Sequence, residues 1–230
     1  MSYYYQENRR GFFSNIPRVT KNIILINLVV FVATLLNENF MVGTFGLFYP
    51  SSPYFRWWQP VTHIFMHGGF WHIFFNMYTL FIFGTVVERM IGERKFLLLY
   101  FICGLGAAAM QIGTQYLEMQ SFLASDSQTA LQGIIALKRT PTVGASGAIY
   151  GILMAYAMLF PDSRMTLIFP PVTLSAKWMV VIFAVIELVT GVAGWADGIA
   201  HFAHLGGMLI GWIMIRTWRR KGVLFERRNL

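Results

Sequence analysis

The sequence predicts an all-α polytopic membrane protein, a bundle of six spans joined by short links. Three observations carry that prediction. Of 230 residues, 56% are hydrophobic and 12% charged, far below the roughly one-quarter charged fraction of soluble domains. Aromatic residues reach 17%, a share natural where Trp and Tyr line two membrane interfaces. The apolar residues also fall into stretches near span length, about 20 residues, separated by polar or basic links.

Residues 1–21 form a basic segment with Arg9, Arg10, Arg18 and Lys21. The first span is expected at Asn22–Leu36; no small-residue cleavage site follows it, so it reads as an uncleaved anchor. Residues Asn37–Gly69 are too many for a turn and too aromatic for water (Phe45, Phe48, Tyr49, Tyr54, Phe55, Trp57, Trp58). They are expected to lie in the membrane interface. The second and third spans are expected at Phe70–Val87 and Phe96–Tyr116. Leu117–Thr142, polar around Ser125-Asp126-Ser127-Gln128, reads as an exposed connection. The fourth, fifth and sixth spans follow at Val143–Phe160, Trp178–Trp195 and Gly198–Ile215, completing a membrane domain over residues 22–215. A basic tail, residues 216–230, closes the chain.

The formal net charge of +8 follows topology. Basic residues sit in both terminal segments, in Glu88–Lys95 and in Pro161–Lys177, whereas the other side holds only Arg56, Lys138 and Arg139. The positive-inside rule then puts both termini in the cytoplasm. No basic stretch is interleaved with a folded reading surface, which argues against nucleic acid as a partner. Cys103 lies in an apolar run and reads as a packing residue.

Polar residues inside such spans point to function. Ser146 stands in Gly144-Ala145-Ser146-Gly147 at the outer end of the fourth span. Free amides at a helix N-terminus would stabilise an oxyanion there. Gly147, Gly151 and Ala155 also form a small-residue contact pattern, which is the structural alternative. On the sixth span, Ala200, His204, Gly207 and Gly211 share one face, so His204 sits on a strip of small residues at a depth matching Ser146. Tyr150, one turn after Ser146, can hold the imidazole flat. His72 and Asn76, four apart, can donate to an oxyanion. His63 and His67 have a spacing known from zinc sites, but no carboxylate or cysteine completes a ligand set, so no metal is expected; they are read as bracing the outer loop.

Together, Trp58, His63, His67, His72, Asn76, Glu88, Gly144-Ala145-Ser146-Gly147, Tyr150, Ala203-His204, Gly207 and Gly211 resemble the rhomboid family of intramembrane serine proteases. The resemblance covers residues 57–211. It implies a rhomboid-like six-helix bundle around a water-accessible cavity, with the first outer loop in the interface and the fifth helix and following loop as gate and cap. It implies Ser146 as nucleophile, His204 as general base, and His72 and Asn76 as oxyanion donors, supported by Tyr150, Gly144, Gly147 and Gly207. The implied reaction is hydrolysis of peptide bonds in or beside transmembrane segments of other proteins, without a cofactor. Expected partners are such transmembrane substrates and membrane lipids. The expected location is a bacterial inner membrane, with the site open to the outer side.

One departure stands out: Trp58-Gln59 replaces the family's usual Trp-Arg, which leaves the loop without an ionic anchor. No acidic residue lies in the fourth or sixth span, so His204 is expected to lack a carboxylate orienter and turnover to be slow. Asp197 is read as a loop or cap residue, with a third catalytic member as the alternative. Glu187, mid-way along the fifth span, is read as a protonated or hydrogen-bonded side chain facing the bundle, with a role in gating as the sharper alternative. Competing readings are a non-catalytic rhomboid-like protein that binds membrane clients and a small transporter or proton channel. The latter lacks the broken helices and repeats such proteins use.

Overall fold

The computed structural model of the protein describes residues 15–125, 127–166, 171–193 and 200–224. Helix α1 (Arg18–Leu36) begins after Pro17 with no side-chain cap of its own. Its first turn is capped from a distance: Glu88 accepts the Val19 amide at 2.9 Å, and the Thr20 amide and hydroxyl at 2.6 Å each. A carboxylate suits the positive end of a helix. The helix turns Leu25, Val29, Val32 and Leu36 outward and buries Thr20, Ile23, Asn27 and Thr34. That inverts the soluble pattern, as lipid favours: polar groups must be satisfied inside. Asn27 accordingly donates to the Ile23 carbonyl at 2.8 Å.

The segment after α1 is folded rather than loose. It holds α2 (Glu38–Phe45), capped by the Asn37 side chain, and α3 (Gln59–Thr62), followed by a 3₁₀ turn (His63–Phe65). Gln59 is fully buried at its centre. Its Oε1 accepts from Phe48 N and Arg56 N, and its Nε2 donates to Tyr54 O and Thr44 O. The amide, which both donates and accepts, thus anchors four backbone groups where an arginine could only donate.

Helix α4 (Phe70–Thr79), a π-helical turn (Leu80–Gly84) and α5 (Thr85–Ile91) form one 22-residue rod. Helix α6 (Glu93–Leu123) runs 31 residues, well past the Tyr116 expected as its end. Leu117–Thr142 is largely exposed, as expected, but it is helical rather than a loop: after α6 ends, α7 (Gln128–Arg139) starts on a Ser127 side-chain cap. Met119, Tyr49 and Leu137 cluster there, with Phe122 and Ile134 packed against them. The polar residues that suggested a loop are a turn and a cap between two helices.

Helix α8 (Ser146–Leu159) has only 14 residues. A two-stranded antiparallel hairpin, β1 (Arg164–Thr166) and β2 (Thr173–Ser175), leads into α9 (Ala176–Ala193) and then α10 (His201–Arg220). The stretch between α9 and α10, including Asp197, lies outside the described residues. Among the described residues, four helices, α1, the α4–α5 rod, α6 and α9, are long and apolar enough to cross a membrane.

Helices α8 and α10 touch backbone to backbone. A Cβ on Gly207 would run into the Gly147 carbonyl, and one on Gly211 would stand 3.0 Å from Gly151 Cα. At the end of the bundle away from Ser146, Arg219 of α10 donates to the Met158 carbonyl of α8, and Arg89 donates to Asn15 O before α1. The basic residues flanking α1, α5 and α10 therefore gather at one end, and Ser146 opens the other.

Candidate active site

Ser146 is the first residue of α8, so its amide belongs to the unpaired first turn. Two ties fix the segment that leads into it. Leu47 and Thr142 exchange backbone hydrogen bonds at 2.9 and 2.8 Å, and Gly144 N donates to His63 O at 3.0 Å. Gly144 has φ +131°, and a Cβ there would lie 2.8 Å from His72 Nε2. Both the left-handed backbone and the close ring require glycine.

His204 arrives from α10 across the glycine contact. The Ser146 hydroxyl and His204 Nε2 share a hydrogen bond at 2.8 Å, in which the hydroxyl donates when the ring proton sits on Nδ1. Tyr150, on the same face of α8 as Ser146, stacks on the imidazole at 4.3 Å with the rings 2° from parallel. The ring is thus held flat, and a hydroxyl-accepting Nε2 puts the remaining proton on Nδ1. Ser146 is half-buried and His204 buried.

On the opposing wall, α4 presents His72 and Asn76. The Gly68 amide points at His72 Nδ1 across a long 3.4 Å, so the Nε2 beside Gly144 carries the ring proton. Asn76 is buried, and its Nδ2 has no partner among the described residues. His67 lies edge-on to His72, ring centroids 5.0 Å apart. Burial, and then the neighbouring His72, pushes its pKa down to about 3. Burial likewise lowers His63 to about 4, so both loop histidines stay neutral at neutral pH. His63 Nδ1 donates to Gln59 O at 3.0 Å and braces the loop as expected, whereas the His67 ring nitrogens find no partner among the described residues.

A sequence profile of the Rhomboid domain matches residues 54–221. The chain belongs to the rhomboid family. It is 29% identical over 203 residues to the rhomboid protease AarA of Providencia stuartii, covering 84% of this chain and 69% of that protein. It is 30% identical over 208 residues to the mitochondrial RHOMBOID-like protein 12 of Arabidopsis thaliana, covering 87% of this chain and 59% of that one. Rhomboid protease GluP of Bacillus subtilis matches at 31% over 157 residues, 68% of this chain and 25% of that protein.

Within this rhomboid domain, one expectation is overturned. His204 does have a carboxylate neighbour, and it comes from the fifth helix: Glu187 Oε1 on α9 lies 3.0 Å from His204 Nδ1. The contact is off the line of the ring N–H, so Nδ1 makes no aligned hydrogen bond. The Tyr150 hydroxyl donates to the same oxygen at 2.5 Å, and His201 Nδ1 donates to Oε2 at 2.6 Å. His201 also meets the Thr190 hydroxyl at 3.1 Å. The reading of Glu187 as hydrogen-bonded and inward-facing agrees with this; His201 was missed, although its three-residue spacing from His204 was visible. Ligand atoms of Glu187, His201 and His204 fall within 4.8 Å of one another. That set could hold a cation, but here ring and phenol donors already surround both oxygens. A cavity of about 640 Å³ lined by Pro17, Arg18, Glu88 and Arg94 opens at the other end of the bundle, remote from Ser146.

Proposed function

We propose that the protein is an intramembrane serine protease that hydrolyses peptide bonds in or next to transmembrane segments of other membrane proteins. The observation that carries this is the 2.8 Å contact from the Ser146 hydroxyl to His204 Nε2 at the start of α8. His204 takes the Ser146 proton as Oγ attacks the carbonyl carbon, then returns it to the leaving amine nitrogen; water repeats the cycle on the acyl-enzyme. The Ser146 amide, His72 Nε2–H and the unpartnered Asn76 amide supply donors for the oxyanion. Tyr150 keeps the ring flat, while Gly144, Gly147 and Gly207 permit the close approaches. Kinship with named rhomboid proteases supports the reading.

The positive-inside rule, applied to the basic end of the bundle, supports cytoplasmic termini and a site facing the outer side; six spans in a bacterial inner membrane complete the proposed reading. Residues 1–21 and 216–230 then flank the membrane domain in the cytoplasm. Transmembrane proteins are the proposed substrates, with surrounding lipid as the other partner.

In proteoliposomes carrying a transmembrane peptide substrate, Ser146→Ala and His204→Ala should each lower kcat by on the order of 10⁴-fold or more. A fluorophosphonate should label Ser146 in the wild type and nothing in Ser146→Ala. Cleavage that survives Ser146→Ala would return the protein to the client-binding alternative.

A further inference from the structure

We propose that Glu187 is a positioning residue for the base, making the reactive unit Ser146–His204–Glu187, drawn from α8, α10 and α9, rather than a two-residue dyad. The inference rests on the protease reading above and assigns a new member to that site.

The proton balance gives the reason. As Ser146 Oγ bonds to the substrate carbonyl carbon, its proton moves to His204 Nε2, and the ring, already protonated at Nδ1, becomes a cation. Glu187 Oε1 stands 3.0 Å from that Nδ1. The Glu187 and His204 side chains are only 9% and 10% exposed, so little water screens the attraction. Because Tyr150 lies parallel to the imidazole and donates to the same oxygen, that oxygen is shared between two stacked groups. The resting contact with neutral His204 is therefore poorly aligned and weak. The attraction grows when the ring gains charge, which is the differential stabilisation that lowers a barrier.

The carboxylate is also held for this task. Three proton donors converge on its two oxygens, a pattern an ionised, acceptor-only group satisfies. His201 clamps Oε2 at 2.6 Å, and Thr190 steadies His201 from one helical turn beyond Glu187. Elsewhere α9 turns Val181, Val185, Ile186, Leu188, Val189 and Val192 outward, while Glu187 is buried. The helix thus carries one acid, and directs it at the base.

The test compares wild type, Glu187→Gln, Glu187→Asp and Ser146→Ala in proteoliposomes, with kcat, KM, fluorophosphonate labelling rate and melting temperature for each. Glu187→Gln should lose about 10²- to 10³-fold in kcat, less than the ~10⁴-fold typical where the carboxylate bonds the ring in line. KM should change by less than about twofold, since substrate binding is untouched. Labelling of Ser146 should slow in parallel, and Glu187→Asp should be at least about tenfold faster than Glu187→Gln because the charge remains. Rates are normalised to folded protein, so a lowered melting temperature does not imitate the effect. Glu187→Gln turning over at the wild-type rate, a loss confined to KM, or an aspartate variant no faster than the glutamine one would overturn the proposal. So would activity removed by chelation and restored by zinc, which would make the cluster a metal site. Wild-type protein that neither cleaves nor labels would instead sink the protease reading itself.

Discussion

Asn76 is buried, yet its amide protons go to no described residue. A buried donor left unpaired costs roughly 1–3 kcal/mol, and a fold keeps such a cost where a ligand atom later relieves it. With His72 on the same helical face, the amide would, on the proposed protease reading, meet the oxygen of an attacked carbonyl. Replacing Asn76 with Ala should therefore lower kcat by about 10²-fold with little change in KM, measured on a transmembrane peptide. The spacing of residues made much of this legible: His72 and Asn76 lie one turn apart, as do Ser146 and Tyr150, and such pairs face together. Glu187 was legible as a bonded, inward-facing acid, but its partners were not, because they stand on other helices and spacing along one helix does not say which side chains of another it meets. A three-residue spacing, His201 to His204, was the one available hint that the two rings share a face.

At the level of elements, the glycine seam between α8 and α10 decides whether the reacting atoms meet. Lipid tails are as apolar as side chains, so packing and backbone approach, rather than burial from water, hold such helices together. Gly207→Val would force the Gly147 carbonyl away. Overpacking of this kind costs about 2–3 kcal/mol, and it should lower the melting temperature together with the cleavage rate. Gly207→Val should be far worse than the same change at Gly222, where a Cβ meets nothing within 4 Å, although its φ of +65° strains the backbone there too. The seam was legible as a repeating strip of small residues. Helix α7 was not, because Ser125-Asp126-Ser127-Gln128 carries the composition of a loop and also that of a helix start. The hairpin before α9 was likewise invisible: its two strands are three residues each, too short for a period-two pattern to register.

For the whole molecule, length is the governing quantity. Helix α8 has 14 residues, about 21 Å at 1.5 Å per residue, against a hydrocarbon layer of about 30 Å. Its Leu159 end is level with the close of α10, where Arg219 reaches Met158 O. With the Leu159 end at one surface, as the proposed topology has it, Ser146 would stop roughly 10 Å short of the other. Longer-chain lipid should bury it further, and mismatch is relieved by tilt or local thinning at modest cost. Cleavage in bilayers of graded acyl length should accordingly fall as thickness rises, whereas a detergent-soluble short peptide should be cut at a rate independent of chain length. Missing turns at the top of one helix thus become a depth gauge. On the proposed protease reading, a client chain would offer its bond to Ser146 only where it uncoils at that level, so two clients of identical local sequence, set a few residues higher or lower in the lipid, would meet different fates.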